Sequence, residues 1–213
     1  MNRRECKEAA KKILKDQWIV GFVVLLIEAV IVSALTTMTA GIGLFLLQSV
    51  ITIAVYNVYI NAYAGKKYEV SDMLIGVTDE LTNRICLSVL KQLYISLWSL
   101  LFVIPGIVKT YSYFLAEFIS RKEPKLSATE CITKSREIMD GHKWDLFVFQ
   151  LSFIGWHLLA ICTFGILYIW LAPYIMQSTI IYVDKNIYKL LDEPQQEENS
   201  EIVEAKFVDV EVE

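Results

Sequence analysis

Long apolar stretches with almost no charged residue inside them dominate the first 185 positions of the chain. They are continuous, whereas a half-buried strand alternates apolar and polar residues and a surface helix repeats them every three to four positions. A helix needs about 20 apolar residues to cross the hydrocarbon core of a bilayer. The pattern predicts an all-α membrane bundle, not a barrel. Its six transmembrane helices are expected near residues 18–38, 42–64, 85–104, 107–120, 146–164 and 166–183.

The composition agrees with a membrane protein, since 55% of the 213 residues are apolar or aromatic, more than is usual in a soluble domain. The first stretch also resembles a secretory signal peptide, because basic residues precede it and Val32-Ser33-Ala34 is an acceptable cleavage site. Its 17-residue leading segment and its full membrane length favour a retained anchor.

Basic residues fall into every second connection between the apolar stretches. Residues 1–17, 65–84, 121–145 and the tail after 183 hold all the lysines and arginines except Lys91 and Lys109. The three turns between them hold none. By the positive-inside rule, the six helices form three hairpins and both termini are cytoplasmic.

A turn is predicted at Pro105-Gly106 inside the stretch 85–120. An unbroken helix there would be roughly 54 Å long at 1.5 Å per residue, which exceeds a bilayer. It would also place the basic 121–145 segment outside the cell. Gly-Ile recurs in the three outer turns, at 41–42, 106–107 and 165–166. This recurrence suggests an internal repeat, although isoleucine is abundant enough here for coincidence.

The N-terminal segment, residues 1–17, is basic and amphipathic. Its apolar face is formed by Cys6, Ala9, Ala10, Ile13, Leu14 and Trp18, with the lysines on the other side. Such a helix suits the surface of an anionic leaflet. A solvated helix that leads into the first span is an equally good interpretation.

A second cytoplasmic helix is predicted at residues 127–140. Ser127 and Glu130 have the spacing of a capping box, Leu126 and Cys131 that of a hydrophobic staple, and Gly141 supplies a stop. The membrane domain, residues 18–185, includes this helix. Trp18 and Trp144 are placed as aromatic markers of the inner membrane boundary.

The remaining domain, residues 186–213, is an acidic tail. From Asp192 onward it holds nine acidic residues and one lysine, a composition typical of disorder. Its end, FVDVEVE, alternates apolar and acidic residues, so it could add a strand to the sheet edge of a partner. A solubilising tail without a partner is the competing interpretation.

Four charged residues lie inside the predicted spans: Glu28, Lys91, Lys109 and Glu117. Each costs about 3 kcal/mol at a helix centre, so each is expected to face the bundle and find a partner. Their depths favour pairing Lys91 with Glu28 or Glu117, and place Lys109 near the outer end of its helix. Lys109, Tyr113 and Glu117 are spaced i, i+4, i+8 and would share one helix face.

Two interpretations of this intramembrane polar site stay open. The five residues Glu28, Lys91, Lys109, Tyr113 and Glu117 either line a path for an ion or small polar solute, or pair to fix the register of the helices. Their formal charges cancel, as structural pairing requires.

No motif of a known catalytic or cofactor site is present in the sequence. The cysteines lack metal-site spacing, and the presence of only two histidines does not favour a histidine metal site. Asp140, His142 and Asp145 cluster at the predicted inner face, where a lipid head-group enzyme would need them, but a solvated loop explains them as well. We therefore expect no enzymatic activity, no cofactor, no metal and no nucleic-acid partner.

Two long motifs carry a family resemblance: PGIVKTYSYFLAEFI at 105–119 and SREIMDGHKWDLFVFQLSFIGWHLLAICTFGILYIWLAPY at 135–174. They resemble a family of multi-pass membrane proteins from Gram-positive Firmicutes, catalogued as domain of unknown function number 975, over most of residues 1–185. More weakly, the chain is similar to the membrane domain attached to some glycerophosphodiester phosphodiesterases. The resemblance implies a bacterial plasma-membrane protein and supplies no activity or site residue.

Two functions are expected from these observations. The first is a non-enzymatic membrane component that binds lipid of the anionic leaflet, or a protein partner through its cytoplasmic loops or tail. The alternative is a small transporter or channel-like protein that uses the intramembrane charges.

Overall fold

The computed structural model describes residues 3–15, 17–76 and 80–189, and this part of the chain contains helices and turns but no strand. Its elements are ten α-helices and one 3-10 turn, Val70–Leu74. The α-helices are α1 (Arg3–Leu14), α2 (Trp18–Met38), α3 (Ile42–Tyr63), α4 (Leu81–Leu101), α5 (Val103–Ser112), α6 (Ala116–Lys122), α7 (Ala128–Ile138), α8 (Lys143–Leu151), α9 (Ile154–Cys162) and α10 (Tyr168–Asn186). The predicted all-α class is confirmed. The acidic tail lies outside the described residues from position 190 onward.

Among the described residues, three helical stretches are long and apolar enough to cross a membrane: α2, α3, and α8 together with α9. Arg84 and Lys91 lower the hydropathy of α4, and Asp184 and Lys185 lower that of α10. The fourth predicted span consists of two short helices, α5 with 10 residues and α6 with 7. Length and composition thus support several membrane-crossing helices, but not each of the six.

The helix predicted at residues 127–140 forms as its capping signals predict. The Ser127 hydroxyl accepts a bond from the Glu130 backbone N–H, and the Glu130 carboxylate accepts one from the Ser127 N–H, so the capping box is complete. The Ser127 hydroxyl also donates to the Glu130 carboxylate at 2.6 Å, and this bond, together with the one from the Ser127 N–H, lowers the pKa of the Glu130 carboxyl. Gly141 follows the helix with a φ of +85°, a conformation that favours glycine.

Helix α1 packs against α10 rather than presenting its apolar face to a membrane surface. Cys6, Ala10 and Leu14 on that face are completely buried. Trp18, at the start of α2, stacks near Tyr174 with ring centroids 6.4 Å apart. The apolar face predicted from the sequence is therefore real, but other parts of the chain cover it, whereas Lys11 and Lys12 on the basic side of α1 are exposed.

The polar segment before each hairpin packs on a different hairpin. The 3-10 turn contacts α3, α7 contacts α4 and α6, and α1 contacts α10. The 3-10 turn and α7 thus each pack on the preceding hairpin, and α1 packs on the third hairpin. This arrangement agrees with an internal repeat of three units. The Gly-Ile turns agree less well: Gly41 and Gly165 have positive φ, whereas Gly106 lies inside α5.

The chain reverses at Phe102, three residues before the predicted turn. Phe102 is extended, with φ −157° and ψ 144°, and separates α4 from α5. Gly106 then lies directly against α4, where an added Cβ would be 2.9 Å from the Ser99 Cα and closer still to its hydroxyl. A glycine at 106 therefore allows the two helices to approach closely.

We expect Gly106→Ala to destabilise the protein by about 1–3 kcal/mol, the usual cost of overpacking. Gly155→Ala is the matched control, because Gly155 is also helical and its added Cβ would meet nothing within 4 Å. Both variants are compared with the wild type by denaturant unfolding in detergent. Equal stability of the two variants would contradict the close approach of α4 and α5.

The fourth predicted span is interrupted between Ser112 and Ala116 by a bond from another element. The Ser135 hydroxyl of α7 donates to the Ser112 carbonyl at 2.9 Å and accepts the Leu115 N–H at 3.2 Å. All three residues are buried. The side chain of α7 thus satisfies the backbone groups that the interruption frees, as a buried break requires.

A milder interruption separates α8 from α9 at Ser152 and Phe153. The Lys7 ammonium of α1 donates to the Ser152 hydroxyl at 2.7 Å and lies 4.0 Å from the centroid of the Phe153 ring. Burial and the nearby Lys11 charge lower the pKa of Lys7. At both interruptions, α5–α6 and α8–α9, a polar side chain of an amphipathic helix, α7 or α1, forms hydrogen bonds with the interrupted segment.

Candidate functional site

A buried ion pair links α4 to α6. The Lys91 ammonium lies 2.6 Å from Glu117 Oε1 and 2.7 Å from Oε2, so one cation contacts both carboxylate oxygens. The Glu117 side chain is 2% exposed and that of Lys91 20% exposed. The structure thus selects Glu117, not Glu28, as the partner of Lys91. Two opposite charges in direct contact carry no net charge into the core.

Serine hydroxyls complete the surroundings of this pair. Ser49 of α3 donates to Glu117 Oε1 at 3.3 Å, and the Ser49 N–H is 2.8 Å from the Ser88 hydroxyl. Ser88 in turn donates to the Arg84 carbonyl one turn earlier in α4. Three helices, α3, α4 and α6, therefore meet at one closed hydrogen-bonded cluster.

The other predicted members of the polar site lie apart from the pair. Glu28 is half-buried in α2, and its carboxylate has no hydrogen bond or ion pair among the described residues. Tyr113 is buried in the interruption after α5. The Lys109 ammonium lies 6.0 Å from the centroid of the Tyr113 ring, so these two residues are neighbours. The interruption between Ser112 and Ala116 separates them from Glu117 on α6. The prediction that all three residues share one helix face is therefore wrong.

The position expected for Lys109 is also wrong. Its ammonium lies 4.7 Å from the centroid of the Trp98 ring, and it lines a polar cavity of about 320 Å³ with residues of the basic 121–145 segment. The cavity is lined by Lys109, Ser112, Thr133, Arg136, Glu137, Asp140 and Lys143. Lys109 therefore lies beside the segment predicted to be cytoplasmic, not at the opposite end of its helix.

A second cavity, of about 350 Å³, is mainly apolar. It lies between α2, α3, the α5–α6 interruption and the third hairpin, and Gln150, His157, Tyr168 and Thr179 supply its polar groups. The His157 Nδ1 lies 2.8 Å from the Tyr168 hydroxyl, and Gln150 accepts a bond from Tyr111. Thr179 donates to the Ile175 carbonyl of its own helix, so each of these four side chains already has a hydrogen-bond partner.

The residues considered for catalysis do not converge. Asp140 contacts Lys143 at 3.3 Å, and Asp145 lies 3.9 Å from Arg3, so both carboxylates face cations, and the described contacts include none between either of them and His142. Cys6 and Cys131 are completely buried, and burial raises the pKa of the Cys131 thiol to about 11. No group of His, Cys, Asp and Glu in the described part of the chain has the arrangement of a metal site.

Sequence reasoning missed the neighbours that define both polar clusters. Ser49 and Ser88 are separated from Glu117 by many residues, and no local spacing links them. Arg136 and Lys143 belong to the basic 121–145 segment, which the sequence identifies as a cluster of cations. The sequence placed Lys109 at the other end of its helix, so it did not predict that these residues lie near Lys109. The bonds from Ser135 to Ser112 and Leu115 hold α7 beside the end of α5, where Lys109 lies.

Residues 100–190 match the family described as "Protein of unknown function (DUF975)". The match begins at the end of α4 and continues beyond α10, which is narrower than the predicted resemblance over most of residues 1–185. It contains Glu117 and the polar cavity, but not Lys91. No curated protein and no solved structure matches the chain. Residues 100–190 are thus similar to the DUF975 family, whose description assigns no function.

Proposed function

We propose that this chain is a bacterial plasma-membrane protein with six membrane-embedded segments in three hairpins and both ends in the cytoplasm. The three apolar helical stretches and the distribution of basic residues support this topology. Each hairpin returns the chain to the side it left. The side of the termini is therefore the same whether the second hairpin, with its interrupted arm, crosses the bilayer or only enters it.

Within that membrane, the proposed role is a non-enzymatic component that binds membrane lipid or a protein partner. The observation that carries it is the closed Lys91–Glu117 pair. Both oxygens of the carboxylate face the ammonium, and Ser49 supplies a further donor. A group that must bind and release an ion needs a free coordination position, and this pair offers none. Its role is therefore to hold α3, α4 and α6 in register.

Transport of an ion or small polar solute is the second candidate function, and Glu28 favours it. Its carboxylate lies in the middle of the most hydropathic helix and has no partner among the described residues. Unpaired carboxylates inside a membrane domain often mark an ion path. A path through the bundle would have to join Glu28 to the Lys91–Glu117 pair across water-filled space.

Thiol accessibility distinguishes the two functions. In a cysteine-free background, Ser49→Cys and Ser88→Cys report on the pair with a nearly isosteric change, whereas Glu28→Cys and Lys109→Cys report on the other positions. We expect a membrane-impermeant reagent, applied to inside-out and right-side-out vesicles, to leave 49 and 88 unlabelled. Lys109→Cys should be labelled from the cytoplasmic side, because Lys109 lines a polar cavity with the basic 121–145 segment, which we propose to be cytoplasmic.

Labelling at 49 or 88 from either side would mean that water reaches the Lys91–Glu117 pair. Transport would then replace lipid or partner binding as the proposed function. Denatured samples of each variant serve as the control for intrinsic reactivity, since every engineered thiol must react once the fold is lost.

A further inference from the structure

We infer that the polar cavity around Lys109 binds the head group of a membrane phospholipid that carries both a phosphodiester and a primary ammonium. The inference deepens the proposed lipid-binding role and rests on it. Three cations, Lys109, Arg136 and Lys143, and two carboxylates, Glu137 and Asp140, line the same cavity. This charge set matches a zwitterion better than a simple anion.

The cationic side of the cavity suits a phosphate. Neither Lys109 nor Arg136 has a carboxylate partner among the described residues, so both keep donors for a ligand. The planar guanidinium of Arg136 can donate two hydrogen bonds to a phosphate, and the Lys109 ammonium can contact it as a point charge. Proteins use both kinds of contact to bind phosphate oxygens. Three cations around one cavity repel each other, and a bound phosphodiester would relieve that repulsion.

The carboxylates give the site its expected selectivity. Asp140 reaches Lys143 at 3.3 Å, but its side chain is 84% exposed, so it lies at the rim of the cavity. Glu137, one turn before it in the chain, is exposed as well. Two rim carboxylates beside a phosphate site attract a primary ammonium and disfavour a second anionic group.

Apolar side chains next to the cavity point to a lipid, not to a soluble phosphate compound. Val108 precedes Lys109, Ile104 lies one turn earlier on α5, and Trp144 follows Lys143; all three are exposed. Exposed tryptophan beside lysine is typical of the interface between head groups and acyl chains. The head group would thus sit in the cavity while the acyl chains lie along α5.

Native mass spectrometry of the purified full-length chain tests the site with three probes: dioctanoyl phosphatidylethanolamine, dioctanoyl phosphatidylglycerol and inorganic phosphate. We expect the wild type to bind phosphatidylethanolamine most tightly. Lys109→Gln with Arg136→Gln should weaken both lipids by at least about tenfold, the effect of losing two charge-assisted contacts. Glu137→Gln with Asp140→Asn should weaken phosphatidylethanolamine alone and abolish the preference.

Lys66→Gln with Lys67→Gln is the matched control, since it removes two exposed charges that are not part of the cavity lining. Far-UV circular dichroism and thermal melting establish that each variant is folded, and Lys143→Gln replaces the double variant if that one does not fold. Unchanged binding by a folded Lys109/Arg136 variant, or equal binding of inorganic phosphate, would overturn the site and leave the lipid role standing. Absence of any lipid binding by the wild type would overturn the proposed lipid-binding role itself.

Discussion

Glu117→Gln is expected to lower the free energy of unfolding by about 3 kcal/mol, the lower end of the usual cost of breaking a buried ion pair. The reason is the charge that remains. Glutamine keeps the size of the side chain and one acceptor, but Lys91 loses both carboxylate contacts, which are 2.6 and 2.7 Å long. Because the Lys91 side chain is 20% exposed, its ammonium recovers part of its solvation, which places the effect at the lower end.

Two further variants make this measurement specific. Lys91→Met with Glu117→Met replaces both charges by apolar groups of similar length, and its stability should stay within about 1 kcal/mol of the wild type. Glu8→Gln removes the carboxylate of an exposed pair, in which Arg4 and Glu8 are 3.0 Å apart. That pair should contribute less than about 0.5 kcal/mol. Unfolding is followed by far-UV circular dichroism in mixed micelles of increasing denaturing-detergent content.

The outcome bears on function as well as on stability. If the double methionine variant is as stable as the wild type and keeps its bound lipid, the pair is a structural element and the transport function loses its central residues. If Glu117→Gln is no less stable than Glu8→Gln, the Lys91–Glu117 contact does not exist as described. The closed cluster between α3, α4 and α6 would then be contradicted as well.

Local patterns in the sequence predicted the elements whose causes are local. The apolar stretches predicted helices at the positions of α2, α3, α8–α9 and α10. The capping box at Ser127 and Glu130 fixed the start of α7 because both partners lie within one turn. Each of these features depends on residues three or four positions apart, and such spacing is visible in a sequence.

The positions of the charges were not predictable in the same way. The i, i+4, i+8 spacing of Lys109, Tyr113 and Glu117 predicts a shared face only if the helix is unbroken. That helix ends at Ser112 because Ser135, 23 residues further along the chain, binds its carbonyl. The apolar face of α1 shows the same limit. Its residues were predicted correctly, but whether lipid or α10 covers them is decided by contacts across the whole chain.

Ser135→Ala is the second large effect that we expect, with a loss of roughly 2–4 kcal/mol. The substitution removes one hydroxyl and leaves two buried backbone groups without their partner, the Ser112 carbonyl and the Leu115 N–H. Each unsatisfied group costs about 1–3 kcal/mol. Ser178→Ala is the matched control. Ser178 is just as buried, but its hydroxyl bonds only the Tyr174 carbonyl of its own helix.

The two serine variants also differ in where the loss should appear. Amide hydrogen exchange at 113–116 should accelerate in Ser135→Ala and stay unchanged in Ser178→Ala, because only the first variant frees the interruption between α5 and α6. Arg136 follows Ser135 directly, and Ser112 lines the cavity that Arg136 shares with Lys109. Loss of the bond should therefore let Arg136 move away from Lys109 and weaken phosphatidylethanolamine binding in the same variant. Normal exchange at 113–116 in Ser135→Ala would contradict the assignment of Ser135 as the residue that holds the interruption and, through it, the cavity.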